Sequence, residues 1–243
     1  MIFFKLNQKE HLTLFIFISM LIASILVFLP LASVQANTAD SAIGKVIKLD
    51  GKASASTATD EKRNLRVGSS IFEKDTVVTE KKSSVTILFN DKTRFEIGPE
   101  ATLVASEFKY NKKVDEDSVA IRVLKGSFRF ITGLVAKNKP EAMEVNTAVA
   151  TIGIRGTNVV GEANSTSATI ILIEPEDSSR KTAIEVSNKF GSVTIDEPGY
   201  GTEIPDEYSP PSLPRRMRLQ TINNIMRSMQ NVNRVNMPRP RMP

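Results

Sequence analysis

The 243-residue sequence contains no cysteine, no tryptophan and a single histidine, His11. His11 lies in an N-terminal segment that we expect to be removed, so the mature chain has neither an imidazole nor a thiol. Catalysis by Ser-His-Asp or Cys-His groups is therefore excluded, as are zinc sites built from histidine and cysteine. Without disulfides, an exported domain depends on an apolar core, and residues 37–204 are numerous enough to form one.

The first 36 residues have the pattern of an export signal. Lys5 and Lys9 precede an almost unbroken apolar run over residues 12–31, and Val34-Gln35-Ala36 resembles a signal-peptidase site. We expect cleavage after Ala36, which places the mature protein in the periplasm or outside the cell. At about 1.5 Å per residue, the run also approaches the roughly 30 Å of bilayer hydrocarbon, so an uncleaved membrane anchor stays open.

Positive charge is concentrated towards the C-terminus. The formal net charge is +5, and seven arginines follow Pro205, where the only acids are Asp206 and Glu207. The preceding body, residues 37–204, is nearly neutral. The sequence therefore predicts a neutral domain followed by a strongly basic segment.

Residues 43–204 consist of short β-type segments separated by turn signals, and none shows helical periodicity over ten or more residues. The stretch 85–97 predicts a hairpin with its turn at Asn90-Asp91. The stretch 120–131 predicts a second hairpin with its turn at Lys125-Gly126. Many short strands with hairpin turns predict an all-β fold, an antiparallel jelly-roll-like sandwich.

Two more strand regions are predicted, over 167–174 and over 182–196, the latter with a turn at 188–191. Alternation within the two predicted hairpins assigns one face to the core and leaves Arg122 and Arg129 facing solvent. The side chains that we expect to be largely buried are Ile87, Phe89, Phe95, Ile97, Ile121, Val123, Phe128 and Phe130.

The C-terminal part changes character after the domain. Residues 205–214 contain four prolines and predict an extended linker. Ser212 is suited to cap a helix that begins near Pro214, and residues 215–243 predict a basic amphipathic helix followed by a disordered proline-containing tail. The apolar stripe of that helix consists of Leu219, Ile222, Ile225, Met226, Met229 and Val232.

The basic helix has three interpretations. Its stripe packs against the β domain, or it lies on an anionic membrane surface, or it docks in a groove of a partner. Nucleic acid is not an expected partner, because export removes the usual target and no aromatic residue accompanies the arginines. The candidate basic contacts are Arg215, Arg216, Arg218, Arg227 and Arg234.

The segment ATIGIRGT, residues 150–157, places an arginine between two glycines at the end of a β-branched stretch. Gly153 ends a row of β-branched side chains, which suggests a bend or a close backbone approach. The rigid fork of Arg155 suits it to tie down loop carbonyls or a carboxylate, and contact with a partner or a small anion is the alternative. We therefore select Arg155, Gly153, Gly156 and Thr157 as structural or partner-contact residues, and expect Arg155→Ala to lower stability.

Acidic side chains give weaker candidates. The run VDEDS, residues 114–118, groups oxygen ligands that calcium favours, but its spacing matches no calcium loop. Asp75 is expected to bond nearby backbone donors in a turn. We therefore expect no metal, no cofactor and no enzymatic activity, with a hydrolase that uses unrecognised carboxylates as a remaining alternative.

Several motifs in order resemble the FecR domain family. They are Gly44-Lys45-Val46 with Gly51-Lys52-Ala53, LRVGSSIFEKDTVVT (65–79), SSVTILFNDKTRFEIGPEATL (83–103), LKGSFRF (124–130) and MEVNTAVATIGIRGT (143–157). The resemblance covers residues 43–161. It implies an exported, non-enzymatic, all-β module of jelly-roll type.

In the regulator that gives the family its name, such a domain is periplasmic and relays receptor occupancy to a sigma factor. Here only about eleven residues precede the apolar run, so we do not expect that role to carry over. We expect an exported binding or scaffolding module of the bacterial cell envelope whose partner is an envelope protein or a glycan. A membrane-anchored accessory in envelope signal transduction is the alternative if the N-terminal run is not cleaved.

Overall fold

The computed structural model describes residues 41–57, 62–110, 116–174 and 182–230. These ranges form two β-sheets, whose strands we number in chain order. In spatial order, sheet A consists of β4 (Ser70–Ile71), β1 (Gly44–Asp50), β6 (Ser84–Phe89), β7 (Arg94–Ile97), the second half of β9 (Ser118–Ile131), β12 (Asn158–Ala163), β13 (Ala168–Ile173), β16 (Tyr200–Ile204) and β17 (Arg215–Arg216).

Sheet B has the same number of strands and shares β9 with sheet A. In spatial order it consists of β3 (Arg63–Asn64), β2 (Ala53–Ser56), β5 (Thr76–Thr79), β8 (Thr102–Lys109), the first half of β9, β10 (Met143–Asn146), β11 (Thr151–Arg155), β14 (Ala183–Asn188) and β15 (Gly191–Ile195). All described pairs are antiparallel except β9 with β10. The sandwich and its antiparallel character confirm the predicted fold class.

The two sheets enclose one apolar core. Phe95 on β7 lies directly opposite Phe130 on β9, and their ring centroids are 5.4 Å apart. Phe128 stacks on both rings, and residues of sheet B close the core from the other side. All eight side chains that the alternation assigned to the interior are buried, which confirms the predicted strand faces. Burying a phenylalanine of this kind contributes about 1.5–3 kcal/mol.

The predicted hairpin at Asn90-Asp91 is present, whereas the one at Lys125-Gly126 is wrong. Strand β9 runs through Gly126 without reversing, pairing with β8 before it and with β7 and β12 after it. Gly126 has φ +102°, and a Cβ there would lie 2.4 Å from that of Ala101. A glycine that permits positive φ serves a strand crossing between sheets as well as a turn, so the local sequence does not distinguish them.

The parallel pair β9–β10 requires a crossover connection. Residues 132–142 provide it through a short helix, α1 (Leu134–Asn138), and a 3₁₀ turn (Pro140–Ala142). The amide of Leu134 donates to the carbonyl of Asp91 at 2.7 Å. This connection covers the turn between β6 and β7.

The C-terminal helix α2 (Leu219–Gln230) packs on the outer face of sheet A. Ile222, Ile225 and Met229 are buried against Val160 and Ile171. The stripe therefore packs on the β domain, which was one of the three interpretations. No described helix has both the length and the hydropathy of a membrane span.

The helix begins later than predicted, and the preceding residues are docked. Arg215–Arg216 pair with Tyr200–Gly201 as strand β17 instead of starting a helix at Pro214. Ser212 does not cap the helix, because its amide donates to the carbonyl of Glu203 and its hydroxyl lies 3.0 Å from the Glu203 amide. Residues 205–214 thus follow the domain surface. The last part of the predicted helix, which includes Val232, and the predicted tail lie outside the described residues.

Candidate functional site

Strand β11 lies within the segment ATIGIRGT, and we call it the signature strand. It displays alternate residues on the outer face of sheet B. Ile152 and Ile154 are buried in the core, whereas Arg155 is exposed. Thr151 and Gly153 share the face of Arg155, because side chains alternate along a strand. Arg155 pairs with Ala183 of β14 through the backbone, whereas its side chain forms no hydrogen bond or ion pair with another described residue.

The bend lies at Gly156 and not at Gly153. Gly153 is a regular strand position opposite Glu144 and Glu185, and a Cβ there would make only ordinary contacts. Gly156 has φ +61° and links β11 in sheet B to β12 in sheet A. A bend that connects two β segments was predicted for this segment, and the glycine that makes it is the second one.

Thr157 anchors the bend to strand β9. Its amide donates to the Thr132 hydroxyl at 2.8 Å, and its carbonyl accepts from the Thr132 amide at 3.1 Å. Thr157 is buried, and its hydroxyl oxygen has no hydrogen-bond partner among the described residues. Gly156 and Thr157 thus form and anchor the bend, whereas the side chain of Arg155 is exposed to solvent.

A cleft of about 370 Å³ opens at the start of the signature strand. It lies between the β10–β11 turn, the β14–β15 turn and residue 207. Its lining includes Thr151 and Ser187, which lie opposite each other on β11 and β14. The cleft thus adjoins the outer face that carries Arg155. Along the strand, Arg155 lies about 13 Å from Thr151, at about 3.3 Å per residue.

Two exposed aromatic rings flank this cleft. Phe190 and Tyr208 are 43% and 70% exposed, and the Lys189 ammonium lies 4.8 Å and 5.9 Å from their ring centroids. The Tyr208 hydroxyl donates to the Glu207 carboxylate, and this hydrogen bond raises the pKa of Tyr208. The rim therefore combines one cation and one anion with two exposed aromatic faces, and aromatic residues are enriched in contact surfaces.

The polar groups behind the rim are bonded internally. The Asn188 amide donates to the carbonyls of Val149 and Ser209, and its oxygen accepts from the Phe190 amide. These bonds fix the turn that presents Phe190. The sequence prediction missed this rim, although a phenylalanine in a turn where polar residues predominate was a signal that could have indicated it.

A second cleft of about 360 Å³ lies on the outer face of sheet A, beside the end of helix α2. Glu96 lies opposite Arg129 on the neighbouring strand, with Lys48 and Arg94 also lining the cleft. Burial raises the pKa of Glu96, against the opposing effect of these cations. The surface is mixed in charge, because the nearby carboxylate of Asp50 also acts on Glu96 and raises its pKa further.

Of the acidic candidates, Asp75 is bonded within the fold, and the run at residues 114–118 lies partly outside the described residues. Asp75 accepts a hydrogen bond from the Phe72 amide at 2.8 Å and is bound by Arg63, as expected for a turn aspartate. Residues 114 and 115 of the VDEDS run lie outside the described residues. Within the described ranges, no group of three or more His, Cys, Asp or Glu side chains is arranged to hold a metal.

The basic candidates are on another part of the surface from the signature. Arg215 and Arg216 belong to β17 of sheet A, and Arg215 pairs with Glu203 at 2.6 Å. Arg216, Arg218 and Arg227 are exposed, and Arg234 lies outside the described residues. The structure thus separates the basic segment from the signature strand of sheet B.

The family comparison decides which domain this is. Residues 75–176 match the family model described as FecR protein. Residues 75–176 are therefore assigned to a FecR domain. The match confirms the resemblance read from the motifs between residues 75 and 161, and the signature strand β11 lies within it. Proteins of the FecR family are in general not enzymes.

Three solved structures are similar to parts of this chain. A "Cell surface anchoring domain" is 39% identical over 25% of this chain and 80% of its own, with a TM-score of 0.24. Two crystal structures of a "putative anti-sigma factor" from Parabacteroides distasonis ATCC 8503 are 10% identical over 63% of this chain and 64% of theirs, with TM-scores of 0.48 and 0.47. No curated protein sequence matches the chain.

Proposed function

We propose that this chain is an exported, non-enzymatic binding module of the bacterial cell envelope that takes part in envelope signal transduction. The observation that carries the proposal is the contact surface formed by the cleft rim and Arg155 on the outer face of sheet B of the FecR domain. The N-terminal export pattern supports an envelope location. The lack of histidine and cysteine after residue 11 supports binding rather than catalysis.

The partner is a protein contacted through Phe190, Tyr208 and Arg155. Tyrosine and arginine are enriched among residues that dominate protein–protein binding energy, and exposed aromatic side chains are typical of such contacts. All three are exposed, and the groups that hold Phe190 in place are bonded internally. A glycan is the alternative partner.

The arginines of the C-terminal segment provide a second contact. Because the apolar stripe of α2 packs on sheet A, the helix does not present that stripe to a membrane. Arg216, Arg218 and Arg227 remain exposed and are placed for electrostatic contact with an acidic protein surface or with anionic headgroups.

The experiment is capture of partners by the tagged full-length chain from envelope extracts of the source organism. Phe190→Ala, Tyr208→Ala and Arg155→Ala should each lower capture of one protein at least about fivefold. Leu213→Ala is the matched control, because Leu213 is 83% exposed and does not line the cleft. Equal capture by all four variants would contradict the proposed surface, and retention only of protease-resistant carbohydrate would identify a glycan partner instead.

A membrane-anchored form of the same module is the second candidate function, supported by the length of the apolar run at residues 12–31. N-terminal sequencing of the protein from its native envelope distinguishes the two. A mature chain that begins at Asn37 would contradict the anchor, and an intact N-terminus would support it.

A further inference from the structure

The four edge strands of the two sheets differ in how well they are protected against pairing with another chain. Within the described residues, β3, β4 and β17 are edge strands of two residues each, whereas β15 has five. Very short edge strands are a common protection against pairing with another chain. Strand β15 also contains no lysine, no proline and no bulge in its pairing with β14. It is therefore the edge that is open to strand addition.

The free backbone groups of this edge are those of Ser192 and Thr194. A two-residue turn, Lys189-Phe190, joins Asn188 to Gly191, so the hydrogen-bonded pairs are Asn188–Gly191, Val186–Val193 and Ile184–Ile195. Ser192 and Thr194 consequently direct their N–H and C=O groups away from β14. Both residues are exposed, and no described strand other than β14 pairs with β15.

We propose that β15 pairs antiparallel with β15 of a second copy of this chain, about a twofold axis at Val193. In this register Ser192 of each copy lies opposite Thr194 of the other, and about four backbone hydrogen bonds form. Serine and threonine opposite each other on a sheet face are a favourable cross-strand pair. Val193 faces the interior and is only half-buried, so the pairing also covers two valine side chains.

Charge complementarity favours a second copy as the occupant. The strand begins beside a cation, Lys189, and ends beside two anions, Asp196 and Glu197, all of them exposed. Antiparallel pairing places the basic end of one copy beside the acidic end of the other, twice. Neither Asp196 nor Glu197 forms an ion pair with another described residue. The contact is small by the standard of stable dimers, so it is concentration-dependent.

The absence of cysteine from the chain makes a direct test simple. In Val193→Cys, the introduced thiols face each other in a non-hydrogen-bonded pair with Cα atoms about 4.5 Å apart, which permits a disulfide. In Thr194→Cys the corresponding Cα atoms are about 8 Å apart, which does not. Full-length chains expressed in the envelope should therefore form a covalent homodimer at position 193, at least about tenfold more than at 194, on non-reducing gels.

Two further changes test the hydrogen bonds and the charges. Thr194→Pro removes an outward N–H that makes no bond within the chain, so the domain should still fold. Cross-linking through Val193→Cys should then fall at least about tenfold. Thr194→Ala should leave this cross-linking unchanged. Lys189→Glu should weaken dimerisation about two- to thirtyfold, and Lys189→Glu with Glu197→Lys should restore it.

Three results would overturn the pairing. They are no cross-link from a folded Val193→Cys variant, equal cross-linking at positions 193 and 194, and a cross-link only to a different envelope protein. None of these outcomes bears on partner capture through Phe190, Tyr208 and Arg155, so the dimer and the proposed function fail independently.

Discussion

Arg63 binds the fully buried carboxylate of Asp75 through both of its terminal nitrogens. One nitrogen lies 2.8 Å from the first carboxylate oxygen, and the other bonds the second oxygen and the Ser70 carbonyl. The Phe72 amide donates to the same carboxylate, and the guanidinium lies 5.1 Å from the centroid of the Phe72 ring. This pair fastens the edge strand β3 to the turn that precedes β5.

Loss of the guanidinium should be costly, because it leaves a buried charge without its counterion. We expect Arg63→Ala to lower the free energy of unfolding by about 2–4 kcal/mol. This is somewhat less than the roughly 3–5 kcal/mol lost when a fully buried ion pair is broken, because Arg63 is one-third exposed. Urea unfolding measures the change. Arg66→Ala, an exposed neighbour, should stay within about 0.5 kcal/mol. Equal effects of the two changes would contradict a structural ion pair.

The crossing of β9 between the sheets gives a second prediction. Gly126→Ala must accommodate positive φ and also a Cβ at 2.4 Å from Ala101, so we expect a loss of about 2–4 kcal/mol. Gly68→Ala is the matched control, because Gly68 has φ +90° and open space around it. The control should lose only about 1 kcal/mol, and the difference between the two measures the close packing of Ala101.

The contact of helix α2 with sheet A gives a third prediction. Ile225→Ala should lower the free energy of unfolding by about 2–4 kcal/mol, because Ile225 is 5% exposed between the helix and the sheet. Leu219→Ala, at 76% exposure on the same helix, should change it by less than about 0.5 kcal/mol. If Ile225→Ala is as mild as Leu219→Ala in chemical denaturation, the helix does not pack on the domain in solution.

The half-buried carboxylate of Glu96, on the outer face of sheet A, gives a pH-dependent prediction. Because the folded-state pKa of Glu96 lies above its ordinary value of 4.5, its protonated form stabilises the fold fully below that pH, and the stabilisation is lost as pH rises through the folded-state pKa. Glu96→Gln keeps the uncharged form at every pH. The melting temperature of the variant minus that of the native chain should therefore be larger at pH 7 than at pH 4.

An exposed carboxylate provides the comparison for this effect. Glu185→Gln should give a difference in melting temperature that changes little between the two pH values, because Glu185 is exposed. A larger gain for Glu96→Gln at pH 4 than at pH 7 would reverse the sign and contradict the effect of burial.

The candidate site was only partly predictable from the sequence. The segment 150–157 was identified by its glycines, and the bend was expected there, yet the position of the bend and the exposure of Arg155 depend on how β11 pairs with β10 and β14. The cleft rim was missed because Phe190 and Tyr208 are separated in sequence and meet only when the β14–β15 turn and residues 205–210 lie side by side.

The sequence by itself determined that the body is a β-sandwich and which faces of its central strands are buried. When apolar residues alternate with a period of two, a β-strand places them all on one face, and that face is buried. Phe95, Phe128 and Phe130 lie on such a face. Only the tertiary structure decided that Gly126 is a crossing and not a turn, that α2 covers sheet A, and that β15 is an open edge. Those outcomes depend on contacts between distant segments, such as Ala101 with Gly126 and Ile225 with Val160, which local periodicity does not encode.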